Sequence, residues 1–239
     1  ASLHTWEGWV AALQTKRRVI SLDLPGFGLT GPFPDGDYRM SHYSAFLAHV
    51  LDQLQVPRAV VAGNSFGGQL AWQFALDHPQ RVERLVLVDA AGYPRNATSI
   101  PIGFRLAQIP ALAPLMANLL PRQMIEASIR NVYGDPSKVS DELIDRYYEL
   151  TLRAGNREAL RQRFIQAEAG QGFTRIAELK VPTLIIWGGR DELIPPDNAE
   201  RFKRDIQGSR LVLFDDLGHV PQEEDPARTV AVLMGFLEG

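Results

Sequence analysis

Apolar residues in this chain alternate between two rhythms. Short, nearly continuous runs stand at residues 18–22, 59–62, 85–88, 183–187 and 211–214, rich in Val, Ile and Leu. Runs of four or five such residues fit strands covered on both faces, and therefore a parallel sheet sandwiched between helices. Helical stripes lie between the runs. Over residues 43–54, Phe46, Leu47, Val50, Leu51 and Leu54 recur at spacings of three and four, the face a helix buries against a sheet. Residues 69–78 and 226–237 read the same way. From Gly92 to Lys180 the alternation stops, and apparently helical segments follow one another, punctuated by Pro101, Pro110, Pro114, Pro121 and Pro136. That stretch is too long for a connection in a compact domain. The expected architecture is α/β: a mostly parallel sheet with helices on both faces, formed by 1–91 and 181–239, with 92–180 inserted as a helical cap.

Composition narrows the function classes. The chain has 239 residues, of which 45% are hydrophobic and 22% charged, values of an ordinary globular protein that exclude disorder and fibrous architectures. A net charge of −3 with scattered arginines offers no field for a phosphate backbone, so nucleic acid is not an expected partner. The absence of cysteine excludes disulfides, thiolate metal sites and a cysteine nucleophile. Cytosol is the default location. No apolar run approaches the roughly 20 residues of a membrane span, and the first residues lack a signal-peptide layout. The chain opens at Ala1-Ser2-Leu3-His4 without a first strand, so upstream strands are expected to be missing from it.

The strongest chemical signal is Gly63-Asn64-Ser65-Phe66-Gly67-Gly68. A G-x-S-x-G string arises by chance in about one chain in ten of this size; its place between a strand run and a helix stripe makes it meaningful. On a sharp strand-to-helix turn the serine hydroxyl is exposed, and crowding is expected to require glycine at 63 and 67. Ser65 would also sit at a helix N-terminus, which favours developing negative charge. A serine hydroxyl needs a base. Of five histidines, His219 alone follows a strand run, in Gly218-His219-Val220, at the sheet edge where open α/β folds place their sites. His42, His49 and His78 lie in or beside helical stripes, and His4 stands near the start. Asp191, in Gly188-Gly189-Arg190-Asp191 after the run 183–187, is the expected acid, and Asp89, after 85–88, is the reserve. Ser65, Asp191 and His219 stand in the order serine, acid, histidine.

Together with Asp23-Leu24-Pro25-Gly26-Phe27-Gly28, a glycine-rich loop after an early run, these motifs resemble the α/β-hydrolases of the capped serine-esterase type across essentially the whole chain. The resemblance implies acyl transfer from a small-molecule ester to water through an acyl-Ser65 intermediate, with His219 as base, Asp191 as its orienting acid and the Phe66 N–H as one oxyanion donor. It implies no metal or organic cofactor. The family's His-Gly motif, which carries the second oxyanion donor, normally precedes a segment like Ser2-Leu3-His4-Thr5-Trp6 and would lie upstream of Ala1. Serine at 65 argues against the dehalogenase and epoxide-hydrolase branches, which use aspartate. Carbon–carbon bond hydrolases are the main alternative, although Val220 stands where they usually carry tryptophan. A ligand-binding member with little turnover and a truncated, inactive fragment are the others. The apolar cap residues Phe104, Leu106, Ile109, Leu112, Leu115, Met116, Leu119 and Leu120 point to an apolar substrate group or to core packing. Arg153, Arg157, Arg161 and Arg163 read as a solvated helix face or as a site for a substrate carboxylate.

Overall fold

A computed structural model describes residues 2–94, 121–167 and 172–239. Among these residues one parallel sheet forms, from β1 (Ala59–Asn64), β2 (Val82–Val88), β3 (Thr183–Gly188) and β4 (Arg210–Phe214), in that spatial order. Side chains alternate across it, as the pleat demands. Leu85, Leu87, Ile185 and Trp187 face one way, into a core shared with Tyr43 and Leu47 of α2 (Met40–Gln53), Leu70 and Phe74 of α3 (Phe66–Asp77) and Phe202 of α7 (Asp197–Asp205). Val86, Val88, Leu184, Ile186 and Phe214 face the other way, against Trp9 and Leu13 of α1 (Glu7–Leu13) and Leu233 of α9 (Pro226–Glu238). This double coverage explains why β2 and β3 read as unbroken apolar runs. It also explains their burial: residues 85–88 and 184–187 are fully covered.

The run 18–22 departs from the expectation. It forms no strand and pairs with nothing among the described residues, and its Ile20 is 37% exposed. A β-branched run becomes a strand only where a neighbour completes its ladder. β1 ends the described sheet on that side, with Ala62 exposed.

Between β2 and β3 the described residues include α4 (Arg122–Val132), α5 (Asp141–Thr151) and α6 (Asn156–Gln166). Ser140 caps α5 by accepting from the Leu143 N–H, and Asp141 and Glu142 occupy its first turn, where the helix dipole favours negative charge. Ile129, Tyr133, Val139 and Ile144 make a separate apolar cluster that takes in Val220, the residue after His219. Residues of α6 hold the segment after residue 23: Asn156 donates to the Gly28 carbonyl, and Gln166 both accepts from the Tyr38 N–H and donates to the Gly36 carbonyl. The apolar residues from Phe104 to Leu120, expected either to face a substrate group or to pack as core, lie outside the described residues. Among the described residues no helix is long and apolar enough to cross a membrane.

Candidate active site

β1 passes into α3 through Ser65, whose backbone takes φ 55° and ψ −119°. A non-glycine residue there stores about 1–3 kcal/mol of strain, which the surroundings must hold in place. They do so by hydrogen bonds on both sides of the turn: Ser65 N–H donates to the Val88 carbonyl at 3.1 Å, and its carbonyl accepts from Ala91 at 2.9 Å and Gln69 at 3.1 Å. A Cβ at position 63 would lie 2.1 Å from the Gly67 carbonyl oxygen, so only glycine fits. Crowding at 67 is not found. A Cβ there would meet nothing within 4 Å, whereas one at Gly68 would lie 2.5 Å from the Ala90 Cβ. The tight side of the turn is the one facing the end of β2, and position 68 occupies it. Phe66 opens α3, where first-turn amides have no intrahelical acceptor and carry the positive end of the dipole.

The loops after β3 and β4 meet beside this turn. His219 Nδ1 lies 2.7 Å from Asp191 Oδ2, and both residues are almost fully buried. Asp191 Oδ1 accepts the N–H groups of Leu193 at 2.8 Å and Ile194 at 2.9 Å. These bonds fix the carboxylate, which in turn fixes the imidazole: with Nδ1–H donating to Asp191, Nε2 carries a lone pair and can act as a base. The Ser65 turn is joined to the histidine loop through Asn64, which donates to the His219 carbonyl at 2.9 Å and to Val88 at 3.1 Å. Among the described residues no hydrogen bond links the Ser65 hydroxyl to His219 directly.

Asp89 belongs to the same cluster. It follows the last residue of β2 at φ 42°, is fully buried, and accepts the Gly188 N–H at 3.0 Å. Burial, and then the neighbouring Asp191 charge, push its carboxyl well above the usual carboxylate range. Oxygen and nitrogen atoms of Asp89, Asp191 and His219 lie within 4.8 Å of one another, a spacing that would suit a cation. The Asp191 oxygens are already engaged by two amides and an imidazole, so a hydrogen-bonded chain describes the set better than a ligand shell.

A family model described as alpha/beta hydrolase fold matches residues 1–226. The chain belongs to the α/β-hydrolase fold family. Among its relatives, a 2-hydroxy-6-oxo-2,4-heptadienoate hydrolase of Pseudomonas putida is 33% identical over 97% of this chain and 83% of its own length. A 2-hydroxymuconate semialdehyde hydrolase of a Pseudomonas species is 32% identical over 97% of this chain and 81% of its own. Among solved structures, a meta-cleavage product hydrolase of Pseudomonas fluorescens superposes with a TM-score of 0.84 at 28% identity, covering 100% of this chain and 86% of that one. A thermophilic esterase of Thermogutta terrifontis does so with a TM-score of 0.82 at 25% identity, covering 99% and 85%.

Several residues of this α/β-hydrolase site escape sequence reasoning. Glu224, in α8 (Pro221–Glu224), belongs to none of the sequence motifs, and glutamate is ordinarily an exposed residue. Its side chain is instead fully covered and accepts three backbone amides, Gly134 at 2.9 Å, Asp135 at 2.9 Å and Gly218 at 2.8 Å. Because the His219 N–H also donates to the Val132 carbonyl at 2.8 Å, the C-terminal end of α4 and the histidine loop are bound as one unit. Next to it Glu223 accepts from Tyr147 and Thr5, and burial raises its carboxyl pKa. Asn64 is the variable position of the serine motif and carries no signal of its own.

The remaining histidines and arginines are placed elsewhere. His4 contacts Glu7, and His42 contacts Asp35; His78 packs on Phe74 at the end of α3. Arg161 pairs with Glu158, Arg157 donates to the Thr151 carbonyl, and Arg153 is exposed beside Gly31. Arg163 differs: its guanidinium lies over the Phe66 ring, 4.2 Å from the centroid.

Proposed function

We propose that the protein is a serine hydrolase that cleaves a small-molecule ester through an acyl-Ser65 intermediate. The observation that carries this reading is the buried 2.7 Å contact between Asp191 and His219, at strand ends next to the strained Ser65 turn. His219 Nε2 takes the Ser65 proton as Oγ attacks the carbonyl carbon, and returns it to the leaving alcohol. Asp191 holds the tautomer and stabilises the imidazolium. The Phe66 N–H, at the start of α3, donates to the oxyanion. Water then repeats the attack and releases the acid. The inserted segment 92–180 serves as a cap over this site, and its contacts with the histidine loop through Val132 and Glu224 support that role.

A second reading has its own support. The relatives named above as heptadienoate and semialdehyde hydrolases suggest that a carbon–carbon bond next to a carbonyl is the one cleaved. Val220 gives a reason to rank it second: where resemblance to carbon–carbon bond hydrolases would imply a tryptophan, this chain has a smaller residue packed among Tyr133 and Ile144. One assay separates the two. Purified protein is offered chromogenic esters of increasing acyl length and, in parallel, 2-hydroxy-6-oxo-2,4-heptadienoate. Ester turnover with the higher kcat/KM supports the first reading, and a higher value for the dienoate replaces it with the second. Turnover of neither substrate class would leave a binding protein as the better description.

A further inference from the structure

Three acidic side chains lie buried around the histidine loop; among the described residues Lys138 stands 3.7 Å from Glu224, while no lysine or arginine is paired with Asp89 or Asp191. Asp191 comes from the loop after β3, Asp89 from the end of β2 and Glu224 from α8, and all three are buried. Their hydrogen-bond supplies are unequal. Glu224 receives three backbone amides. Asp191 receives two amides and the imidazole. Asp89 receives the Gly188 amide on Oδ1 alone, and its Oδ2, fully shielded from water, has no donor facing it.

Two ionised carboxylates in contact inside a protein repel each other and lose hydration, so one of such a pair keeps its proton. The proton settles on the acid with the fewest donors. Once there, it removes the orphan atom, because Oδ2–H becomes a donor, and a carboxylate oxygen of Asp191 lies within 4.8 Å of one of Asp89. We propose that Asp89 is an un-ionised carboxylic acid that donates to the Asp191 carboxylate and acts as a positioning residue for the acid that orients His219. Asp191 then holds four hydrogen bonds: two amides that set its height, the Asp89 hydroxyl that sets its rotation, and the imidazole that uses it. No proton leaves Asp89 during turnover. The inference rests on the reading of Asp191 and His219 as acid and base, but its first readout needs no substrate.

That readout is the infrared difference spectrum between the parent protein and Asp89→Asn at pH 8. An un-ionised carboxyl carbonyl band should be present in the parent and lost in the variant. A parent without that band, and a variant that loses a carboxylate band instead, would overturn the proposal. Should Asp89→Asn fail to fold, carbon-13 spectra of parent protein labelled at the aspartate carboxyls decide the same point. One buried carboxyl carbon should stay at its protonated position from pH 5 to pH 9; ionisation of every aspartate by pH 8 would refute the assignment.

The positioning role has a separate test. Asparagine preserves both halves of the arrangement, with an amide to donate to Asp191 and a carbonyl to accept from Gly188, whereas alanine preserves neither. Asp89→Ala should lower kcat by roughly tenfold or more, and Asp89→Asn should restore most of that loss. Equal losses in the two variants would show that the carboxyl's donor has no part in placing Asp191. If no ester or dienoate is turned over by the parent, the spectroscopic result still stands by itself, so failure of the hydrolase reading and failure of the protonation assignment are distinguishable.

Discussion

Ser65 occupies a backbone conformation that costs energy, and no structural need visible around it calls for a hydroxyl. Ser65→Ala should therefore leave the circular dichroism spectrum unchanged while reducing ester kcat by roughly a million-fold. Residual activity within tenfold of the parent would place the chemistry elsewhere. Asp191→Asn presents a donor where Nδ1–H needs an acceptor and turns the wrong tautomer toward Ser65; kcat should fall about ten-thousand-fold. A loss of tenfold or less would remove Asp191 from the role. Asp89 makes a prediction about stability. An aspartate in the unfolded chain ionises near pH ~3.9, while in the fold Asp89 holds its proton to much higher pH. Between those two values the folded state binds more protons than the unfolded one, so this contribution is full below the unfolded pKa and is lost as pH rises. The slope reaches about 1.4 kcal/mol per pH unit. Asp89→Asn abolishes it, so urea unfolding at pH 5 and pH 8 should show the variant gaining on the parent at the higher pH. A difference independent of pH would contradict the raised pKa.

Among the elements, the junction between α4 and the histidine loop matters most, because it fastens the helices between β2 and β3 to the backbone that carries His219. Glu224 supplies its polar half. Replacing it with glutamine turns one acceptor oxygen into an amide nitrogen that faces N–H groups of the main chain. Leaving buried amides unsatisfied in this way should cost about 3 kcal/mol in chemical unfolding and lower kcat in the folded fraction. Close backbone approach supplies the other half. A Cβ on Gly134 would lie 2.5 Å from the Asp216 carbonyl oxygen and 2.7 Å from the Gly218 nitrogen, so Gly134→Ala must push the loop aside. Its expected destabilisation is about 1–3 kcal/mol, and kcat should fall more than KM rises, since the base is displaced and not the substrate. A variant as active and as stable as the parent would show that the loop relaxes freely. The run 18–22 teaches the converse lesson: with the apolar pattern of a strand and no described partner, it remains unpaired.

For the molecule as a whole, stability should follow depth in the sheet. Ile185, on β3 with strands on both sides and helices on both faces, is fully buried, whereas Leu213 on the outer strand β4 is 42% exposed. Ile185→Ala should cost about 2–5 kcal/mol and Leu213→Ala less than about 1 kcal/mol. Comparable losses at the two positions, measured by thermal or urea unfolding, would contradict this layering.

The sequence by itself determined the class of fold and the order of the chemical residues along it. Apolar period, glycine placement and strand-then-loop order are local properties, and in a parallel sheet every strand ends at the same edge. Residues 65, 89, 191 and 219 could thus be assigned to one edge from their position after a strand run. Only the tertiary structure decided the rest, because it depends on contacts between distant segments. Asn64 reaches His219 across 155 positions, and Glu224 reaches Gly134 across 90. Position 68, not 67, proved to be crowded because Ala90 stands opposite it. Asp191 contacts the imidazole and Asp89 does not receive it, a choice made by the amides of Leu193 and Ile194, which hold the Asp191 carboxylate in place. Burial of a carboxylate and the supply of donors around it are properties of packing, which no spacing along the chain encodes.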